Sequence, residues 1–504
     1  MRLNKLYILF GGAIYFLIAI LVLCIGEKSD RLIGNWGLLA IGLGLGTFLF
    51  FIFNLLRPQL QKLSNLKGFY VVIYLLILII QLLCIKASYF WTGWDVGLMR
   101  GYINAIHAGE TMQSIGADIS YSIYPNNLLL FYLEYLLVGI GSFFQMKEPY
   151  LLCVYVSAFC VNVSCFIGNR IIGKLSGSKM LQMIYTVVGA VFICFSPWII
   201  IPYSDTYGML FVMLGIGALC LIEEFRMKWL LVSFAAILGY CIKPSCIFIL
   251  FAVIMVKIPQ YVLSIKKRYK ELLALCCSIL IFGGLSLGIR PWIEHFFQFE
   301  LDENREMEYA HFMMMGFNVE TNGLFNYDDV LFSLSFSDRS TRKEAEFQEL
   351  KNRLLTYTKE QKAQLLKNKL MINFNSGDFA WGIEGDFYYE RFVHYNIVYR
   401  ICHEIFYPTG SYYRYFKTVM QGIWLVILAG IPLVAFSSRK REKNLDEIAV
   451  MVIVLCGLAL FVMLFEARAR YLYLYAPVFL IVALIGYQGI LPRRWRDRDE
   501  KCDW

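Results

Sequence analysis

Charge is scarce in this chain: 17% of its 504 residues are charged and 59% are hydrophobic. A soluble domain carries charge on about a quarter of its residues, so the shortage excludes an ordinary soluble protein. Metal-ligand spacing is missing: no CxxC or Cys/His cluster occurs, and His107 and His394 have no partner at ligand distance along the chain. No Gly-rich phosphate loop or nucleophile elbow is present, which removes P-loop and α/β-hydrolase chemistry. Internal repeats are absent, and so is the strand alternation of an outer-membrane barrel. The 14 cysteines are placed poorly for disulfides. Cys24, Cys84, Cys153, Cys160, Cys165, Cys194 and Cys220 lie in apolar runs, where cysteine acts as a small hydrophobe. Cys402 alone falls in the largest polar stretch, which therefore has no internal disulfide.

What is abundant is long apolar sequence. Runs lie at about 6–26, 34–56, 68–88, 126–146, 149–168, 180–201, 206–222, 229–242, 245–258, 271–290, 418–436, 446–465 and 471–491. Only helices satisfy every backbone group in lipid at such lengths, so the expected fold is an all-α polytopic membrane protein. The first run is longer than a signal-peptide core and has no small-residue cleavage site, so it is expected to be a retained span.

Basic residues set the orientation. Clusters at Arg57, Lys62 and Lys67, at Arg170, Lys174 and Lys179, and at Lys266, Lys267, Arg268 and Lys270 put their loops inside. Arg439, Lys440, Arg441 and Lys443 do the same, as does the tail with Arg493, Arg494, Arg496 and Arg498. This placement explains the net charge of +9 without nucleic acid. Parity then leaves one run too many between the outer stretch 89–125 and the inner loop at Arg170. The expected non-spanning run is 126–146, re-entrant or lying along the outer surface between Pro125 and Lys147-Glu148-Pro149. The alternative is that the charge bias fails at one loop. With that run set aside, about twelve crossings remain and both termini are cytoplasmic. The expected organisation is a transmembrane module over 1–290, an extracytoplasmic domain over 291–417, and spans with a basic tail over 418–504. The stretch 341–371 reads as one amphipathic helix with Phe347, Leu350, Leu354, Leu355, Leu365 and Leu366 on one side.

Candidate chemistry gathers on the outer side. Asp95 sits just past the third span between aromatics Trp91 and Trp94; it is either a cap or a general base whose pKa burial against the tryptophans would raise. Asp205 occupies the short outer turn Pro202-Tyr203-Ser204-Asp205, where it or Ser204 is also a good N-cap. Arg468 and Arg470, followed by Tyr471, open the last span on the side where arginine is disfavoured. A guanidinium fork grips phosphate; a salt bridge to Glu466 is the structural reading. Lys243-Pro244 splits an apolar stretch at the outer turn, where lysine either serves a site or snorkels to the interface. Tyr121, Tyr124 and Asn126 close the first outer loop with groups suited to a sugar or headgroup. Trp381, Glu384 and Asp386 form a combination usual for carbohydrate stacking. Asp497-Arg498-Asp499 mimics a nucleotide-sugar motif within a charged tail.

An Asp in the first large outer loop, a Tyr-Pro element closing it, an Asp at the next outer turn, a Lys-Pro break and an Arg-Tyr start to a late span form one pattern. It resembles the GT-C superfamily of polyprenyl-phosphate-sugar glycosyltransferases, nearest the protein O-mannosyltransferases and the lipid A aminoarabinose transferase. The likeness covers roughly 68–258 and 465–485. Here Val96 follows the Asp, and two spans precede the one leading into its loop. The resemblance implies a sugar donor carried on polyprenyl phosphate at the outer leaflet and inversion at the sugar. Asp95 would be the base, Asp205 would help position the acceptor, and Lys243, Arg468 and Arg470 would hold the donor phosphate. No cofactor is implied, and a divalent metal is left open. The acceptor would be a cell-wall glycan, a glycolipid or a protein. A bacterial plasma membrane suits the chain, with an endoplasmic reticulum location left open. A flippase of lipid-linked sugars, expected to show repeats and mid-membrane charges, and a polysaccharide polymerase are the other readings.

Overall fold

The computed structural model describes residues 2–66, 68–385, 388–389, 396–439 and 443–490. The expectations placed on Lys67, Asp386, His394, Lys440, Arg441 and the tail from Arg493 to Asp499 lie outside the described residues.

Every apolar run of the sequence carries a helix. Among the described residues, eleven helices are long and apolar enough to cross a membrane by length and composition, and Lys179–Cys194 and Ala476–Ile490 are shorter apolar helices. Helix Asn35–Leu55 exposes Leu45, Phe48 and Phe51, and helix Ile265–Phe297 exposes Leu280, Leu285 and Leu287. Such faces are unfavourable in water and need an apolar solvent. The basic segment Lys266 to Lys270 extends helix Ile265–Phe297 at its start, giving 33 residues and a length of about 50 Å.

Helix Ala476–Ile490 is the hub of the bundle. It packs against helices Tyr413–Gly430, Leu151–Ser176, Leu445–Leu464 and Val434–Arg439, and nearly all of it is buried. Its 15 residues span about 22 Å, less than a bilayer core of about 30 Å. The missing length is taken by the turn Arg470–Tyr473 and the loop before it, which sink charged residues among the helix ends.

Helix Leu128–Phe143 has both ends at the same end of the bundle. Beside its start, Asn127 donates to the Tyr203 hydroxyl (3.0 Å) at the turn before helix Ser204–Leu221. Midway, Glu134 accepts from Tyr150 (2.7 Å) at the start of helix Leu151–Ser176. Near its end, Gly141 lies so close to Pro149 that a Cβ would meet its backbone at 2.9 Å. Tyr132 and Tyr135 stack edge-on against Phe296 and Phe297, at the end of the 33-residue helix.

Between the bundle helices stands a helical unit containing Tyr309–Gly316, Tyr327–Leu334, Arg339–Thr356, Lys359–Phe374 and Ile397–Phe406. The single helix expected over 341–371 is two. The chain turns extended at Tyr357, and Thr358 and Gln361 form a capping box that starts the second helix. The proposed apolar face also fails in part: Leu350 and Leu365 are buried, but Leu355 is 71% exposed. An antiparallel two-residue ladder pairs Trp91–Thr92 with Tyr388–Tyr389. It ties the helical unit to the segment leading into Asp95, and nothing in the sequence foreshadows it.

Candidate functional site

The site is built where three chain breaks meet. The first is the turn before helix Ser204–Leu221. Thr206 provides the local cap, accepting from the Tyr203 amide at 3.4 Å, so Asp205 is free of the capping role considered for it. The second is Lys243-Pro244. Proline forces the preceding residue out of the helical region, and Lys243 is extended at φ −144° and ψ 113°. Gly208 permits the close approach, since a Cβ there would meet Lys243 Cβ at 3.3 Å. The third is the sunken loop with Glu466, Arg468 and Arg470.

These breaks bring Asp205, Lys243, Arg468 and Arg470 together, as their shared sidedness suggests. Lys243 Nζ lies 2.8 Å from Asp205 Oδ1, and Arg470 Nε lies 3.8 Å from Asp205 Oδ2. Glu384 joins from the helical unit: its Oε2 is 3.3 Å from Arg470 Nε and 3.6 Å from Arg468. Arg468 also pairs with Glu466 at 2.8 Å, the salt bridge considered from sequence. Tyr471 donates to Glu466 at 3.1 Å, and its ring lies under Lys243 Nζ at 4.1 Å. Three cations thus face three carboxylates. Burial alone would lower the Arg470 pKa, but Asp205 and Glu384 outweigh it and the guanidinium stays charged. Burial lowers the Lys243 pKa against the pull of Asp205. It also raises the Glu384 pKa despite Arg470 and Arg468.

Arg470 Nε, Glu384 Oε2 and Asp205 Oδ1 are buried and held by ion pairs at 2.8 and 3.3 Å instead of well-aligned hydrogen bonds, and the indole nitrogen of Trp94 is buried without a hydrogen-bond partner among the described residues. Buried polar groups left so are costly. An incoming anion would compete with Asp205 and Glu384 for the lysine and arginine donors.

Asp95 stands beside this cluster. It is exposed, not buried against the tryptophans as expected. Trp91 instead lies under Arg100 at 3.8 Å, and Trp94 packs edge-on to Tyr203 at 5.0 Å. Trp94 has φ +37°, a left-handed conformation costing about 1–2 kcal/mol, held where it aims the next residue. The link to the cluster is Tyr203, which in the sequence looks like an ordinary interface aromatic. Its hydroxyl donates to Asp95 at 2.7 Å, and its ring lies 5.2 Å from the Arg470 guanidinium and 5.8 Å from Lys243 Nζ. Burial, then the Asp95 charge, keeps that hydroxyl protonated far above its ordinary range. Glu466 was considered only as a neutralising partner, and its signal was its place two residues before Arg468.

Other expectations are corrected. Asp205 faces two buried cations, Lys243 and Arg470. Tyr121 is buried beside Phe131 and Tyr102 and is core. Asn127, not Asn126, bonds Tyr203; Asn126 is exposed and donates to Asn127 at 3.2 Å. Trp381 is 1% exposed, flanked by Trp198 and Phe90, and donates to Phe406 O at 2.7 Å. It positions the Glu384 turn and offers no stacking face. Tyr124 is half-buried against Phe312.

The helical unit clamps the arginine loop. Asn373 accepts from the Arg468 amide at 2.9 Å, and Gly323 O accepts from the Ala467 amide at 2.8 Å. Buried Lys369 donates to Gly316 O and Phe465 O, each at 2.6 Å. Burial pulls the Lys369 pKa down to about 7. Among the described residues, no group of three or more His, Cys, Asp or Glu is placed to hold a metal ion.

No curated protein and no solved structure matches the chain. A family model described as "conserved hypothetical integral membrane protein" matches residues 4–490, and the chain accordingly belongs to that family of integral membrane proteins.

Proposed function

We propose that this protein is an inverting glycosyltransferase that moves a sugar from a polyprenyl-phosphate carrier to an acceptor hydroxyl on the extracytoplasmic face. In this reading the chain crosses the membrane about twelve times, with helix Leu128–Phe143 lying along the outer surface and both termini inside. The same-end contacts of that helix support the arrangement.

The observation that carries the reading is the cluster of Lys243, Arg468 and Arg470 held by Asp205, Glu384 and Glu466, joined through Tyr203 to an exposed carboxylate at Asp95. A carrier phosphate is both a ligand that these cations can hold and the leaving group of the reaction. Fixed cations lower the energy of the charge that develops on it, most effectively in a water-poor setting. Asp95 accepts the proton from the acceptor hydroxyl as that oxygen bonds to the anomeric carbon and the carbon–phosphate oxygen bond breaks. The Tyr203 hydroxyl holds Asp95 in place. Asp205 and Glu384 keep the cations aimed until the phosphate arrives.

The test is release of polyprenyl phosphate by purified protein given radiolabelled polyprenyl-phosphate sugars and membrane acceptors. Release with label on the acceptor supports transfer. Label carried intact across vesicle membranes, without release, would support transport instead. A bacterial plasma membrane, with glycan, glycolipid or protein as acceptor, belongs to the same proposal.

A further inference from the structure

A second group of cations lies away from the candidate site. Helices Asn35–Leu55, Arg57–Ser64 and Lys179–Gly189 meet, and an open cleft between them holds about 460 Å³, its mouth included. Arg57 and Lys179 both line it, from basic loops far apart in sequence that the charge bias puts on the inner side. Asn54 and Ser178 add polar groups, and Phe53 and Met180 form apolar wall. None of the described residues lining the cleft is acidic. Local structure sets both cations in place. Helix Asn35–Leu55 ends at Leu56, and Pro58 in the first turn starts the next helix at Arg57. Ser178 caps helix Lys179–Gly189, accepting from the Leu181 amide at 3.3 Å, so the positive end of that helix opens on the cleft.

Two features point to a lipid. Helix Asn35–Leu55 is largely uncovered, with Phe48, Phe51 and Leu55 exposed. Helix Arg57–Ser64 follows it with Leu56, Leu60 and Leu63 at helical spacing, and Leu56 and Leu63 are exposed. A short helix with an apolar stripe and basic residues suits the membrane surface. The cleft therefore lies where an apolar belt meets a basic edge, the level of lipid phosphates.

We propose that this cleft binds an anionic glycerophospholipid of the inner leaflet, its phosphate held by Arg57 and Lys179 and its acyl chains running along helix Asn35–Leu55. The guanidinium grips phosphate oxygens as a fork, and the lysine adds a point charge. Basic pockets between spans on the cytoplasmic side hold anionic headgroups in this way. A choline or ethanolamine headgroup would bring an ammonium that finds no carboxylate in the lining; a glycerol headgroup brings none. The bound lipid braces the peripheral helix Asn35–Leu55 against helix Lys179–Gly189. The site is independent of the transfer reaction proposed above.

The test adds dioleoyl phosphatidylglycerol, dioleoyl phosphatidylcholine or glycerol 1-phosphate to delipidated full-length protein in detergent. Native mass spectrometry reads bound lipid, and a thermal melt reads stabilisation. Phosphatidylglycerol is expected to bind and to raise the midpoint, and phosphatidylcholine to do so far less. In Arg57→Gln/Lys179→Gln, folded by circular dichroism, affinity for phosphatidylglycerol is expected to fall about tenfold or more. Lys179→Gln alone carries the comparison where the double variant does not fold. Lys266→Gln/Lys267→Gln, at exposed cations of another inner loop, is expected to keep the wild-type affinity. Equal affinity of wild type and the cleft variant would overturn the proposal, as would equal binding of phosphatidylcholine. A midpoint raised as much by glycerol 1-phosphate as by phosphatidylglycerol would overturn the lipid source and leave a soluble phosphate ester as the ligand.

Discussion

Asp205 and Lys243 meet at 2.8 Å although they belong to different helical breaks, and the pair is buried. Removing one partner of a buried ion pair leaves a bare charge and costs about 3–5 kcal/mol, while replacing both with apolar groups is often nearly neutral. Asp205→Asn is therefore expected to lower the thermal midpoint in detergent strongly. Asp205→Asn with Lys243→Met is expected to recover much of the loss and still fail to bind donor. A double variant no more stable than the single would show that the pair is not coupled.

Tyr203 joins the two halves of the site. Tyr203→Phe keeps the ring beside Arg470 and Lys243 and removes only the hydroxyl that donates to Asp95. Turnover is expected to fall about tenfold or more while the apparent affinity for donor barely changes. Steady-state kinetics checks this, and a rise in KM with unchanged kcat would mean that the hydroxyl serves donor binding.

Donor binding should take up protons. Burial already raises the Glu384 pKa, and an incoming phosphate between Arg468 and Arg470 adds a like charge that raises it further. Over the pH range in which Glu384 titrates the carboxylate therefore gains a proton as donor binds, and affinity weakens as pH rises through that range. Calorimetry in two buffers of different ionisation enthalpy measures the uptake. Glu384→Gln is expected to abolish it.

His311 sets an acid limit on the helical unit. It is fully buried, bonded to Ser333 at 2.8 Å, and faces Asp329, Glu346, Glu466 and Arg342. Burial depresses its pKa to about 4, against about 6.5 in an unfolded chain. Between those values the unfolded chain binds the extra proton, so stability falls as pH drops from about 6.5 toward about 4. Thermal melts across that window should show the loss, with a shallower slope in His311→Gln.

Much of this was readable from sequence because lipid imposes a simple rule on length and polarity. The apolar runs, the Lys243-Pro244 break and the out-of-place Arg468 and Arg470 each violate or obey that rule in view. Tyr203 and Asn127 were not readable, since an aromatic or amide at an interface looks like an anchor until the turn aims it. Tyr121 is core because helix Ala117–Ile123 turns its ring inward against Phe131, a direction that the loop sequence alone does not give. The Thr358-Lys359-Glu360-Gln361 capping box was a readable signal and marks the break missed within 341–371. The ladder of Trp91–Thr92 with Tyr388–Tyr389 was beyond reach, because two-residue strands so far apart carry no periodicity.

The most direct measurement compares wild type with Asp95→Asn for polyprenyl phosphate released from labelled donor, with donor binding measured on both proteins. Wild type is expected to turn over, and Asp95→Asn to lose about two orders of magnitude or more while binding donor equally well. Equal turnover by two proteins that bind donor alike would contradict general-base catalysis at Asp95 and leave that residue as a structural partner of Tyr203.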